Sequence, residues 1–127
     1  MEHAALIILL ALVQYTWFSV RVGIARGKYG VKAPKTTGDE AWECLYRVQE
    51  NTLEQLIIFI PGMLAFTVYV SATWALVPGL LFLVGRQLYS YEYISKPESR
   101  TPGMAMTLLA NAALLVGGLA GVILKIF

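Results

Sequence analysis

The chain of 127 residues contains one cysteine, Cys44, and one histidine, His3. A single cysteine excludes a disulfide framework and a cysteine-based zinc site, and a single histidine leaves no His-rich metal set. Charge is scarce as well. Asp, Glu, Lys and Arg make up 14% of the residues, where a soluble domain carries about 25%. A net charge of +2 gives no footprint for nucleic acid. There is no low-complexity tract and no excess of one charge sign, which excludes disorder. What the chain has instead is apolar residues, 57% of the total, arranged in long runs. This is the composition of a small integral membrane protein, with residues 1–127 read as one domain.

A membrane helix needs about 20 mostly apolar residues. Residues 4–20 carry no charge, and Arg21 closes the run. Residues 56–85 are also uncharged, about one and a half spans, so this stretch contains a turn. Ser71-Ala72-Thr73-Trp74, small polar residues beside an interfacial Trp, marks its place. Residues 102–124 are uncharged until Lys125. The pattern predicts an all-α, four-helix membrane bundle with helices near 4–25, 40–71, 74–94 and 102–126. Glu2 precedes the first run and no small-x-small cleavage site follows it, so it reads as a mature span rather than a signal peptide. Thr37-x-x-Glu40 reads as a capping box for the second helix, and Thr101-Pro102 as the start of the fourth. Ala113, Gly117 and Gly121 form a small-xxx-small stripe that lets membrane helices approach closely.

Arg21, Arg26, Lys28, Lys32 and Lys35 follow the first span, and Lys96 and Arg100 separate the third from the fourth. The positive-inside rule places both of these loops in the cytoplasm and both termini outside. Lys28, Lys32 and Lys35 need no role beyond topology and lipid headgroups.

The second helix is unusually polar. Arg47, Asn51 and Glu54 follow i, i+4, i+7 and share one face. Gln49 lies about 200° around from Arg47, on another face. A lone chain in lipid has little use for two polar faces, whereas an oligomer can turn the second toward a neighbour. The third helix carries Arg86, Tyr89 and Tyr93 at i, i+3, i+7, and Arg100 follows on the same side as Arg47. Taken singly, each residue suits a structural role: Arg47 pairing with Glu50 or Glu54, Arg86 pairing with Glu92, Tyr89, Tyr91 and Tyr93 as an aromatic belt. Together they outweigh that reading, because ionisable groups at membrane depth are costly and mark function. Arginine forks pair with carboxylates, a glutamate holds an ammonium, and amides and phenols satisfy peptide groups. A small zwitterionic ligand with several carboxylates fits this inventory; glutathione and a phospholipid headgroup both qualify.

The run Arg47-x-Gln49-x-Asn51-x-x-Glu54, preceded by Pro34-x-Thr36-Thr37-Gly38 and followed by Arg86-x-x-Tyr89-x-x-x-Tyr93 and Arg100, resembles the family of membrane-associated proteins in eicosanoid and glutathione metabolism (MAPEG). Within it, the likeness is to the cysteinyl-leukotriene synthase and microsomal glutathione transferase branch. The resemblance implies a homotrimer of four-helix protomers with glutathione between neighbouring subunits. By position it implies that Arg47, Asn51, Glu54, Tyr89, Tyr93 and Arg100 come from one subunit and Arg26 and Gln49 from the next. Arg100 matches the arginine at the glutathione sulfur, and Arg86 is a possible support for Tyr89 and Tyr93. There are departures. Gln55 stands where family members often carry Tyr, and Ile57 where a proline is common, with Pro61 one turn further on. Gly27 follows Arg26 where the leukotriene synthase has a second arginine, which points away from leukotriene formation and toward a general glutathione transferase or peroxidase.

The expected chemistry is activation of the glutathione thiol as thiolate by Arg100, for attack on a lipophilic electrophile arriving from the bilayer. Glutathione is then a cosubstrate, and no metal is expected. Alternatives are a non-catalytic lipid-binding member of the family and a glutathione-dependent isomerase. A small multidrug transporter fits poorly, because its first span would need a carboxylate and this one offers only Gln14.

Overall fold

The computed structural model describes residues 1–95 and 101–127. Four α-helices carry the chain: α1 (Glu2–Tyr29), α2 (Glu40–Tyr69), α3 (Leu76–Ser95) and α4 (Thr101–Ile126). Both α1 and α4 pack on α2 and on α3, and α2 touches α3. The outer two helices therefore flank the α2/α3 pair. Among the described residues, α1, α2 and α4 are each long and apolar enough to cross a membrane. At about 1.5 Å per residue α3 is about 30 Å long, just the thickness of a hydrocarbon core.

The four expected helices are present, and the differences lie at their ends. α1 runs on to Tyr29 rather than stopping near 25, because nothing breaks it before Gly30. That glycine takes the left-handed conformation (φ 71°) and its N–H donates to Arg26 O. The apolar run marks the membrane, whereas the glycine marks the helix end. The turn does fall at Ser71–Trp74, but α2 ends at Tyr69 and α3 begins at Leu76. Val70 N and Ser71 N both donate to Phe66 O, and Ser71 Oγ accepts from Trp74 N at 3.2 Å. These bonds take residues from both helices. The N-cap of α2 is Asp39, not Thr37. Its carboxylate accepts from Trp42 N at 3.0 Å, while Glu43 reaches back to Gly38 N at 3.1 Å. An aspartate next to the first turn is the stronger cap and leaves Thr37 exposed. α2 continues unbroken through Pro61.

The main core lies toward the α2–α3 turn: Ile7, Leu56, Phe59, Met63, Phe82 and Leu114, with small alanines between them. Phe59 and Phe82 stack with ring centroids 3.9 Å apart. Gly117 faces Phe66, and Gly121 faces the carbonyl of Tyr69, so part of the small-residue stripe does bring α4 against α2. Ala113 is exposed and lies outside that contact. Two smaller clusters occupy the other end, one around Trp42 and one around Phe18, Val48 and Tyr89. Large apolar side chains such as Leu9, Trp17, Ile57, Leu108 and Val116 point outward from the bundle, as lipid-facing residues do.

Candidate functional site

The polar end of the bundle is organised around Arg86. Its side chain is fully buried, ten residues along α3 from Leu76 and so about 15 Å in. It sits at the middle of the helix. Nη2 donates to Asn51 Oδ1 at 2.8 Å and to Thr52 Oγ1 at 3.0 Å, both on α2, and Nη1 donates to Thr107 Oγ1 on α4 at 3.2 Å. The guanidinium lies 4.3 Å from the ring centroid of Tyr89, whose ring is 5.4 Å from that of Tyr93. Its Nε is buried without a hydrogen-bond partner.

A central arginine costs about 2.5–3.5 kcal/mol on insertion scales. Interhelical hydrogen bonds in membranes average about 0.6 kcal/mol each, so three of them offset about half of that cost. Close approach of α3 and α4 makes the arrangement possible. A Cβ on Gly103 would fall 2.6 Å from Tyr89 Cα, and one on Gly85 would fall 2.9 Å from Met106 Cβ.

The ion pairs that would make these charges merely structural are not found. Among the described residues the only ion pair is the N-terminal ammonium with Glu2. Arg86 and Glu92 are six positions apart, about 240° around the helix, and cannot meet. Nor does Arg47 pair with Glu50 or Glu54. Tyr91 is exposed as a belt residue would be, but Tyr89 is buried against Arg86.

The other expected site residues fall as follows. Arg47 and Glu54 are exposed, Asn51 is half-buried, and Gln49 turns to α1, where its Nε2 donates to Tyr15 Oη at 3.3 Å. The wheel separation of Gln49 from Arg47 and Asn51 is therefore present in the fold. Arg26 is half-buried. Nη1 donates to Lys35 O at 2.8 Å, and the guanidinium lies over the Trp42 ring at 4.6 Å, so it also fastens the α1–α2 connection. Tyr89 and Tyr93 are brought together with Arg86 and Asn51. Arg100 lies outside the described residues. Cys44 is half-buried as a free thiol.

Several participants were not singled out from the sequence. Thr52 and Thr107 supply acceptors to Arg86. Asn111 Nδ2 donates to Gln55 Oε1 at 2.9 Å, joining α4 to α2. Arg21, read from the sequence only as a charge that sets topology, donates to Ser90 Oγ at 2.9 Å, joining α1 to α3. The available signal was Thr107 and Asn111 at i, i+4 within an otherwise uncharged apolar run. Beside Arg86 a cavity of about 220 Å³ is bordered by Asn51, Gln55, Met104, Thr107 and Leu108. Asn51, Gln55 and Arg86 give this lining groups able to donate hydrogen bonds. No group of His, Cys, Asp and Glu among the described residues could hold a metal.

Comparison with known proteins covers nearly the whole chain. The sequence profile of the MAPEG family matches residues 4–120. Human microsomal glutathione S-transferase 2 is 32% identical over 93% of this chain and 80% of its own length. An uncharacterized protein of Synechocystis sp. is 44% identical over 94% of this chain and 87% of its own. Leukotriene C4 synthase of Cavia porcellus is 31% identical over 76% of this chain and 64% of its own. A match across nearly the whole chain, on a bundle with three helices of spanning length and apolarity, makes this an integral membrane protein of the MAPEG family.

Proposed function

We propose that the protein is an integral-membrane glutathione transferase that uses the thiolate of glutathione to attack lipophilic electrophiles, with a peroxidase activity on lipid hydroperoxides at the same site. The observation that carries this reading is the convergence of Asn51, Arg86, Tyr89 and Tyr93 between mid-depth and one end of the bundle, in a chain similar over most of its length to a microsomal glutathione S-transferase. The site opens to the cytoplasm, both termini lie on the other side, and the working unit is a homotrimer. Arg47, Asn51, Glu54, Tyr89 and Tyr93 hold the tripeptide from one subunit, and Arg26 and Gln49 reach it from the next.

A free thiol has a pKa of about 8.5 and is a few per cent thiolate at neutral pH. A guanidinium in a partly desolvated site favours the anion and raises that fraction. Arg100 takes this role. The thiolate sulfur forms a C–S bond to the electrophilic carbon while the C–O bond of an epoxide or the C–halogen bond of a haloarene breaks. The electron pair leaves as alkoxide, which takes a proton, or as halide. Holding both reactants at the membrane edge supplies much of the rate.

The test is thiolate absorbance and turnover with a haloarene, for the wild type and Arg100→Ala in detergent, with the assembly mass measured in the same preparation. Loss of the thiolate band together with turnover is expected; retention of both removes Arg100 from the mechanism. Glutathione recovered unconsumed after turnover would instead identify an isomerase. Absence of glutathione binding would identify a lipid-binding, non-catalytic protein.

A further inference from the structure

We propose that Arg86 is a positioning residue that sets the hydrogen-bonding polarity of the ligand site. By holding Asn51 Oδ1 it turns that oxygen to the scaffold and the amide N–H groups to the ligand, so the ligand group seated there is an oxygen acceptor, a carboxylate or a peptide carbonyl. This deepens the glutathione reading and rests on it.

The argument begins with what a guanidinium can do. It carries only donors. The Asn51 atom 2.8 Å from Arg86 Nη2 must therefore be the oxygen, and the orientation of this amide is fixed by chemistry. The remaining acceptors around Arg86 are committed in the same sense. Thr52 Oγ1 donates its own hydrogen to Val48 O at 2.7 Å, and Thr107 Oγ1 donates to Gly103 O at 3.0 Å. Each hydroxyl therefore turns a lone pair to the guanidinium.

A second amide repeats the logic one turn along α2. Asn111 Nδ2 donates to the backbone carbonyl of Gln55 at 3.4 Å and to Gln55 Oε1 at 2.9 Å. A backbone carbonyl can only accept, which fixes Asn111. The Gln55 atom facing it is then the oxygen. Asn51 and Gln55 both border the cavity beside Arg86, with their oxygens turned to the scaffold and their N–H groups left to offer. Glutathione, with its carboxylates and peptide carbonyls, supplies matching acceptors, whereas an ammonium group, which only donates, supplies none.

The experiment is calorimetric titration of glutathione into the detergent-purified wild type, Asn51→Ala, Asn51→Asp and Arg86→Lys, each first checked by helical melting. Asp at position 51 keeps an oxygen for Arg86 and so keeps the fold, but turns a second oxygen toward the ligand. Affinity is expected to fall in the order wild type, Ala, Asp. One lost donor to a charged acceptor corresponds to about a 10- to 100-fold loss. Arg86→Lys replaces the forked hold on Asn51 Oδ1, Thr52 Oγ1 and Thr107 Oγ1 by a single ammonium and so loosens the amide. In turnover with a haloarene it is expected to raise KM for glutathione several-fold with kcat within about twofold. An Asn51→Asp protein that melts normally and binds as well as or better than Asn51→Ala overturns the polarity assignment. An Arg86→Lys protein with unchanged KM removes Arg86 from the role. A wild type that binds no glutathione overturns the transferase reading itself, and this one with it.

Discussion

The two ends of the bundle are held by different physics. Toward the α2–α3 turn, contact is apolar: Phe59 on Phe82, Gly79 against Ile7, Gly117 against Phe66. Toward the α1–α2 connection the apolar clusters are smaller, and hydrogen bonds cross between helices. Gln14 reaches Leu83 O, Arg21 reaches Ser90, and Arg86 joins α3 to both α2 and α4. Among the described residues, side-chain hydrogen bonds between helices all lie at mid-depth or nearer this end. Lipid tails are as apolar as leucine, so helices in a bilayer gain little by hiding apolar surface from them. The turn end is accordingly a matter of shape. The polar end is a matter of direction, since each bond admits one depth and one rotation of each helix. A ligand site requires that second kind of constraint.

If the two ends are separable, damage to one should spare the other. The largest effect is expected for Phe59→Ala. The side chain is fully buried, and removing it opens a cavity whose cost is about 3–5 kcal/mol. Thermal unfolding in detergent should show the loss, while glutathione affinity of the folded fraction stays within about twofold. A large affinity loss would mean that the polar end depends on turn-end packing. Gly103→Ala should do the reverse. The added Cβ meets the backbone of Tyr89, which cannot yield as a side chain can. Overpacking of this kind costs about 1–3 kcal/mol. By prising α4 from α3 it also draws Thr107 away from Arg86, so here affinity falls together with stability. Gly118→Ala is the control on the same helix, because its nearest contacts, at 3.7 Å, are ordinary ones.

The sequence made the spans legible because the bilayer imposes one strong rule, an uncharged run of about 20 residues. It made the helix ends less legible, because Gly30, by its left-handed backbone, and Asp39 and Ser71, by side-chain caps, act through local geometry that charge and hydropathy do not record. The candidate site divides in the same way. Periodicity shows that Arg86, Tyr89 and Tyr93 share a stripe, and that Gln49 leaves the face of Arg47 and Asn51. It does not show which residue on a facing helix lies at the same depth. Pairing Arg86 with Glu92 looked reasonable by charge alone. The fold pairs it instead with Asn51, 35 positions away, because the antiparallel packing of α2 on α3 sets those two at one level.

The smallest effect tests whether the polar end extends into the α1–α2 connection. Trp42 is fully buried. Its Nε1 donates to Val22 O at 3.1 Å, its ring stacks on Tyr46, and Arg26 lies over it. Arg26 in turn donates to Lys35 O, so one indole ties the start of α2 to α1 and, through Arg26, to the connecting loop. Trp42→Phe retains an aromatic ring but loses the N–H, and phenylalanine is a poorer seat for a guanidinium than tryptophan. The cost is about 1 kcal/mol, too small to unfold the bundle but enough to populate an open loop several-fold more often. Limited trypsinolysis at Lys32 and Lys35 reads this directly. Cleavage should accelerate about fivefold, the population change that 1 kcal/mol implies, with the global melting midpoint nearly unchanged. An unchanged cleavage rate would show that the loop is held by its own backbone, and that the directional constraints stop at the helix ends.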